Sequence, residues 1–379
     1  MSSTESVDVN GMAWLEHDVH VEQPFLTPDP LRRARTSAIS GRGSLFLWRV
    51  VFLILLCGVI GFVFSAPSAG YTGYAYVLTA ALAIVVLGGN IVTGFLEEIN
   101  LAQGGLMAIG AYVAAFAWSH HAPFLVGVIA GTAAAAITGA ALAAAVVQLT
   151  GVYAALLTFS LSYAVPDLVN YFASSTGGGN GETIPSMDLF GLSIGGSSPA
   201  TVWIVTVAFL LCGLLFLVVG HGSAGRVLRA SRGRAFAAST FGINPKRAKW
   251  WGWIFSSAMC GLGGSMYALV VGFLAPDQFG LTMSVYLLVG TLAGGALTAV
   301  GALIGGGLVG ALPIVLSSAP GGAEPILLGA LLFAIILLGA SGIWTQAEIG
   351  TVSLVGMAIR RYRTVGKAPE RGAAEGGEL

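Results

Sequence analysis

Between Arg49 and Arg226, and again between Lys249 and Arg360, this sequence has no basic residue. Only 9% of its 379 residues are charged, against about 25% in soluble domains. A soluble domain cannot go so long without a cation. Net charge is zero, which removes the electrostatic case for nucleic acid. Cysteine is scarce: Cys57, Cys212 and Cys260 each lie in an apolar run, so neither a disulfide nor a metal site is expected. His17 and His20 do not by themselves suggest a metal site. There is no GxxxxGK[ST] phosphate loop, so any ATP must be handled by another chain. Lys, Arg and His are missing from the middle of the apolar runs, and the acids fall at run ends. Proton-coupled carriers usually need an intramembrane carboxylate or His. The deficit therefore argues against a secondary transporter and for an external energy source. No residue is assigned a catalytic role, and the chain is not expected to be an enzyme.

What is present is apolar. Hydrophobic residues make up 56% of the chain and the mean hydropathy is +0.85. The seventeen Lys and Arg fall in three clusters, Arg32–Arg49, Arg226–Lys249 and Arg360–Arg371. Guanidinium and ammonium groups are costly in hydrocarbon and collect in cytoplasmic loops. The pattern predicts an all-α polytopic membrane protein with its N-terminus, middle loop and C-terminus in the cytoplasm. A spanning helix needs about 20 apolar residues. The runs 45–66, 73–95, 101–119, 123–147, 152–172, 200–220, 250–272, 282–299, 301–317 and 325–343 give ten spans, an even number that fits cytoplasmic termini. The stretch 282–317 is interrupted by Gly294, Gly295 and Gly301. One long crossing there would place the third basic cluster outside, so two crossings or a re-entrant hairpin are expected. Spans one to five and six to ten then run in opposite senses, which suits an inverted repeat, although no strong internal match is visible.

Three segments follow: a polar, mostly disordered tail at 1–43, a transmembrane domain at 44–343, and a cytoplasmic tail at 344–379. The first apolar run exceeds the 7–15 residue core of a signal peptide and follows a long polar stretch, so it reads as a retained helix despite the weak "SAPSA" site. Residues 173–199 form an outer loop with Glu182 and Asp188 and no cation. Residues 221–249 form an inner loop with seven basic and no acidic residues. Glycine is abundant, at 55 residues. Gly301/Gly305 and Gly306/Gly310 are GxxxG pairs of the kind that lets membrane helices approach, or simply reflect glycine's frequency in such helices.

The inner loop reads "GRVLRASRGRAFAASTFGINPKRAK" over 225–249. Arg226 to Phe241 has the composition of a short helix, Gly242 suits its left-handed C-cap, and Pro245 blocks continuation. Phe236, Thr240 and Ile243 share a face, with Ala237, Ala238 and Phe241 beside it. Small and aromatic residues on such a helix suit docking into a partner's groove, with basic flanks at anionic headgroups. Charge alone favours a solvated positive-inside loop.

Leu228–Lys249 nevertheless resembles the coupling segment of ABC importer permeases of the branched-chain amino-acid type. That segment carries an Ala-Ala pair and a Gly-Ile-Asn triplet, matched by Ala237, Ala238, Gly242, Ile243 and Asn244. With Arg229, Arg232 and Phe241 these form the expected ATPase-coupling set. The likeness continues through "INLAQGGLMAIGAYVAAF" (99–116), "GVYAALLTFSLSYAVPDLVNYFASSTGGGNGE" (151–182), "GLGGSMYALVVGFLAPDQFG" (261–280) and "LVGTLAGGALTAVGALIGGGLVGALP" (288–313), in family order. Departures include Gly233, Arg234 and Ala235 where acids are usual, Gln148–Thr150 where Arg is usual, the Glu97–Glu98 pair, and "ASGIWTQAEIG" after the last span. The resemblance implies a multi-pass protein of the bacterial plasma (inner) membrane. It also implies ATP-binding-cassette ATPase partners, a second permease subunit, an extracytoplasmic solute-binding protein, and ATP bound on the partner rather than on this chain.

A zwitterionic or neutral solute would be met by dipoles and hydroxyls, and broken helices supply dipoles at their ends. The first candidate break holds Asn100 and Gln103, and the second holds Gly294 and Gly295. Span five offers Thr158, Ser162 and Tyr163, with Asp167 and Asn170 continuing at helical spacing from Tyr163. The bland alternative for each polar residue is interhelical hydrogen bonding, and Glu97 and Glu98 read as interfacial. Import of a branched-chain or similar small amino acid is the expected activity. A urea or short-amide permease and an ATP-independent channel or facilitator are the alternatives, and a scaffold without transport is the remaining class.

Overall fold

The computed structural model describes residues 42–65, 70–149, 151–185, 187–189, 192–232, 235–316 and 329–330. Contacts divide the chain into two units, Met1–Trp48 and Arg49–Leu379. Of the first, only the opening of a helix is described, and the second holds everything that follows.

The apolar runs form helices: α1 Arg42–Phe64, α2 Gly70–Asn90, α3 Gln103–Ser119, α4 Phe124–Val146, α5 Val152–Tyr171 and α6 Pro199–His221. Two short helices, α7 Ser223–Ala230 and α8 Ala235–Thr240, occupy the basic loop. They are followed by α9 Pro245–Val271, α10 Leu281–Gly294 and α11 Ala299–Leu316. The starts of α6 and α9 are set by side-chain caps: Ser198 accepts from the Thr201 N–H and Asn244 from the Arg247 N–H, each with a proline in the first turn. Such caps satisfy amides that a helix start leaves orphaned.

Among the described residues, six helices are long and apolar enough to cross a membrane: Phe46–Phe64, Gly70–Leu96, Phe124–Val146, Val152–Tyr171, Pro199–His221 and Pro245–Val271. α3 and α10 stand where spans were expected but have only 17 and 14 residues, and Ala299–Val315 is a shorter apolar helix. The expected span 325–343 lies outside the described residues except at 329–330, as do most of the 1–43 tail and all of the 344–379 tail. The chain is a helical, multi-pass membrane protein; ten spans and cytoplasmic termini remain expectations.

α2 is the centre of the large unit. Of its apolar stretch 89% is buried, against 17% for α1 and 28% each for α4 and α5. α9 packs on α2, α3 and α4, while α11 and α6 pack on α2. Glycine makes the closest contacts possible. A Cβ on Gly110 would overlap the backbone of Gly261, one on Gly264 the carbonyl of Met107, and one on Gly131 the carbonyl of Gly110. α3, α4 and α9 therefore meet backbone to backbone, as small residues allow in lipid. Gly306 and Gly310 abut α2 at Thr79 and Ala83 or Leu82, and Gly301 and Gly305 abut Gly294 and Gly290 of α10. Both GxxxG pairs thus lie at helix contacts.

Over 282–316, the described part of the stretch 282–317, the chain is a hairpin of two short helices, not one crossing. Gly290 faces Gly305 and Gly294 faces Gly301, an antiparallel register, and Gly295 turns the chain at φ 110°. Helices carry the fold, as the all-α expectation has it, and among the described residues the loops add only two short strand pairings. Two short antiparallel ribbons occur: β1 Glu182–Thr183 pairs with β4 Phe273–Leu274, and β2 Met187–Leu189 with β3 Leu192–Ile194. Their backbone groups fall in segments too short or glycine-rich for helix, and pairing satisfies them.

Candidate functional site

In the basic loop, the single helix expected over Arg226–Phe241 is two helices. Ser231 ends the first: its hydroxyl donates to the Val227 carbonyl and its N–H is shared between Val227 and Leu228. Gly233 beyond it is a poor helix former. α8 then closes as expected, with Gly242 at φ 75° and the Ile243 N–H returning to the Ala238 carbonyl at 3.2 Å. Ala237 lies in α8. Ala238 is buried, whereas Phe241 is 85% exposed, and Gly242 borders open space. Ile243 is half-buried, and Asn244 is exposed and caps α9. Of the two arginines, Arg229 donates to the Gly220 carbonyl at 2.8 Å and lies 5.2 Å above the Phe95 ring. Burial, with Arg232 and Arg226 close by, pushes its guanidinium below the usual arginine value. Arg232 pairs with Glu97. An open cleft of about 350 Å³ lies beside the loop, lined by Ala144, Val147, Gln148, Lys246, Arg247 and Trp250.

The two expected helix breaks are present, and the second lies against the end of α2. α2 runs on as a π-turn, Ile91–Leu96, and ends at Glu97 in the left-handed region, φ 57°. A non-helical link then leads to α3. Asn90 Nδ2 donates to the Thr298 carbonyl in the second break at 3.3 Å. A Cβ on Gly94 would overlap the Ala296 carbonyl, and one on Gly89 the Gln103 amide. α3 has no cap from its own preceding side chain. Its amides are met from other helices: Gly104 N–H donates to Ser284 Oγ at 2.9 Å and Gly105 N–H to Ser162 Oγ at 3.3 Å. The hydroxyls are 2.7 Å apart, and Ser162 donates onward to the Leu101 carbonyl. Thr158 Oγ1 accepts from Leu101 N–H, and Asn100 Oδ1 accepts from Ala102 N–H. Asn90, Asn100, Gln103, Thr158, Ser162 and Ser284 are all fully buried. Asn90 Oδ1, Asn100 Nδ2 and Gln103 Oε1 have no hydrogen-bond partner among the described residues.

The pathway residues expected on α5 divide between two faces. Thr158 and Ser162, with Ala154, Val165 and Val169, form its buried face. Tyr163, Asp167 and Asn170 are exposed on the other, with Ser160 in line. They are not brought to the junction. Gly294 and Gly295 close α10, with Gly294 facing Gly301, and the following Ala296 lies against Gly94 in the π-turn. Sequence reasoning missed Asn90, Ser284 and Thr298, which look like ordinary polar residues in apolar helices. Among the described residues no group of His, Cys, Asp and Glu gathers that would hold a metal ion.

Residues 71–340 match the family model described as the permease component of branched-chain amino acid transport systems. The chain belongs to that family. It is a family of transport permeases, not of enzymes. Among curated proteins, the chain is 32% identical over 246 residues to the high-affinity branched-chain amino acid transport system permease protein LivM of Escherichia coli (strain K12). It is 31% identical over 246 residues to the LivM protein of Salmonella typhimurium. Each alignment covers 58% of this chain and 57% of the relative. The match thus spans little more than half the length of these relatives. No solved structure matches.

Proposed function

We propose that this permease is half of an ATP-driven importer for branched-chain or similar small amino acids in a bacterial plasma membrane. The observation that carries the reading is the two-faced helix α5. One face holds the broken-helix junction through Thr158 and Ser162. The other exposes Ser160, Tyr163, Asp167 and Asn170 on a helix apolar enough to span. Polar and ionised groups are expensive against lipid. This face therefore meets water and a second permease subunit, and the solute passes between them. The junction behind it holds no charged side chain, only amides, hydroxyls and helix-end dipoles, which suit a zwitterion or a neutral solute.

ATP acts on the partner ATPases. Their closure pushes α8 through Phe241, Gly242 and Ile243, and the paired permeases alternate access. An extracytoplasmic binding protein delivers the solute. The uncharged junction also favours urea or short amides as a second reading of the solute.

The test is mass spectrometry of proteins that co-purify with this chain from its native membrane in mild detergent. An ATP-binding-cassette ATPase and a second permease at comparable amounts are expected. Pure chain without an ATPase, across several detergents, contradicts the proposal in favour of a channel or facilitator.

A further inference from the structure

The link between the two regions above is a short strained segment with two acids in its middle. Between Arg49 and Asp167 the sequence contains two acidic residues, Glu97 and Glu98. Both are spent on the basic loop. Glu97 pairs with Arg232. Glu98 accepts from Lys249 through one carboxylate oxygen and from Trp253 Nε1 through the other, the latter at 2.9 Å. The Glu98 and Lys249 side chains are only 16% and 22% exposed. Charge-assisted bonds at such a site are roughly twice as strong as neutral ones. Phe95, just before them, stacks on Phe216 at 5.2 Å and lies under Arg229. Leu96 and Leu228 both press on the bare backbone of Gly252. The segment is thus gripped by α6, α7 and α9 together.

On either side of the acids the segment is tied to the broken-helix region. Asn90 holds Thr298, Gly94 abuts Ala296, and Leu101 bonds to Thr158 and Ser162. Between the two ends lie a π-turn and a left-handed non-glycine residue. Neither continues the regular ladder of α2, and such features recur at functional sites. Residues 91–102 therefore form a backbone piece outside the regular α-helical ladders of α2 and α3.

We infer that Glu97 and Glu98 latch this segment to the basic loop, so that a push on the loop is carried to the broken-helix junction. Glu98 is the main positioning residue and Lys249 and Trp253 are its partners. This rests on the permease reading above and adds the route by which ATPase motion reaches the solute path. The segment and the loop move as one body, and the movement is taken up where Leu101 leaves Ser162 and Thr158.

The test uses the full-length chain with its co-purifying subunits and binding protein in proteoliposomes. The readout is radiolabelled leucine taken up per ATP hydrolysed. Glu98→Gln is expected to keep ATP hydrolysis and lower that ratio about tenfold, the scale of one lost charged hydrogen bond. A second variant, Glu98→Cys with Lys249→Cys, is joined by a reducible bis-thiosulfonate reagent. The native Cys57, Cys212 and Cys260 are buried and do not compete. The joined protein is expected to regain coupling and to lose it on reduction. A purely structural role predicts loss of assembly together with ATP hydrolysis, not loss of the ratio alone. A Glu98→Gln protein with the wild-type ratio, or a joined pair that stays uncoupled, overturns the latch while wild-type uptake remains ATP-driven. Wild-type uptake that ignores ATP instead overturns the permease reading, and it does so in every variant alike.

Discussion

Ser162→Ala is the sharpest probe of the junction. Ser162 Oγ donates to the Leu101 carbonyl, accepts from Gly105 N–H and accepts from the Ser284 hydroxyl, which leaves Ser284 Oγ free to accept from Gly104 N–H. Removing it strands an acceptor and two donors in a fully buried site. Each stranded group costs about 1–3 kcal/mol in a water-soluble protein. In a membrane or micelle the unfolded chain also finds partners, and interhelical bonds average about 0.6 kcal/mol. The Gly105 contact, at 3.3 Å, is the weakest of the three. Together these give about 2 kcal/mol for Ser162→Ala. Ser284→Ala strands chiefly one donor, Gly104 N–H, and should cost about 1 kcal/mol. The 2.7 Å bond between the hydroxyls is lost in both single variants. The double variant should therefore cost about 0.5–1 kcal/mol less than their sum. Ser160→Ala is the control. It is exposed and bonds only within its own helix, to the Leu156 carbonyl, so it should stay within about 0.5 kcal/mol of wild type. The assay is reversible unfolding in mixed micelles titrated with SDS. Equal stability of Ser162→Ala and Ser160→Ala would refute the network.

Gly264→Val should destabilise by about 1–3 kcal/mol because its side chain would enter the Met107 backbone, while Gly58→Val, with open space around it, should not; thermal melting in detergent separates them. Phe241→Asp, at a side chain 85% exposed, should leave membrane insertion and melting unchanged and abolish ATPase co-purification. Asp167→Leu should leave the Ser162 energetics intact and lower uptake about tenfold, the size of one charged hydrogen bond, as judged by initial rates.

Much of this was legible in the residues, and the misses have physical causes. Apolar runs of spanning length placed the helices, because a buried backbone in lipid must close its own hydrogen bonds. Asn100, Gln103 and the Gly294–Gly295 pair marked the breaks, since polar and conformationally free residues interrupt a helix. The contact of the second break with α2 was not legible. Asn90 and Thr298 are 208 positions apart, and nothing local in a lone Asn or Thr names its partner. Ser284 was hidden for the same reason. The division of α5 was within reach: Thr158 and Ser162 are four apart, and Tyr163, Asp167 and Asn170 repeat on another face of the same 3.6-residue period. The split of the helix expected over Arg226–Phe241 turned on Ser231 bonding back to its own turn, a competition that composition conceals.

The central claim is that ATP drives this permease through the segment from α8 to Asn244. The most direct test is Gly242→Pro. At φ 75° proline cannot adopt the native backbone, so α8 loses its end without any change in the spans. Labelled leucine uptake is measured in proteoliposomes holding the permease pair, ATPases and binding protein, with and without ATP inside the ATPase-facing compartment. The account predicts ATP-dependent accumulation by wild type and none by Gly242→Pro, with both inserted equally. Uptake that merely equilibrates, or that Gly242→Pro leaves intact, would contradict it.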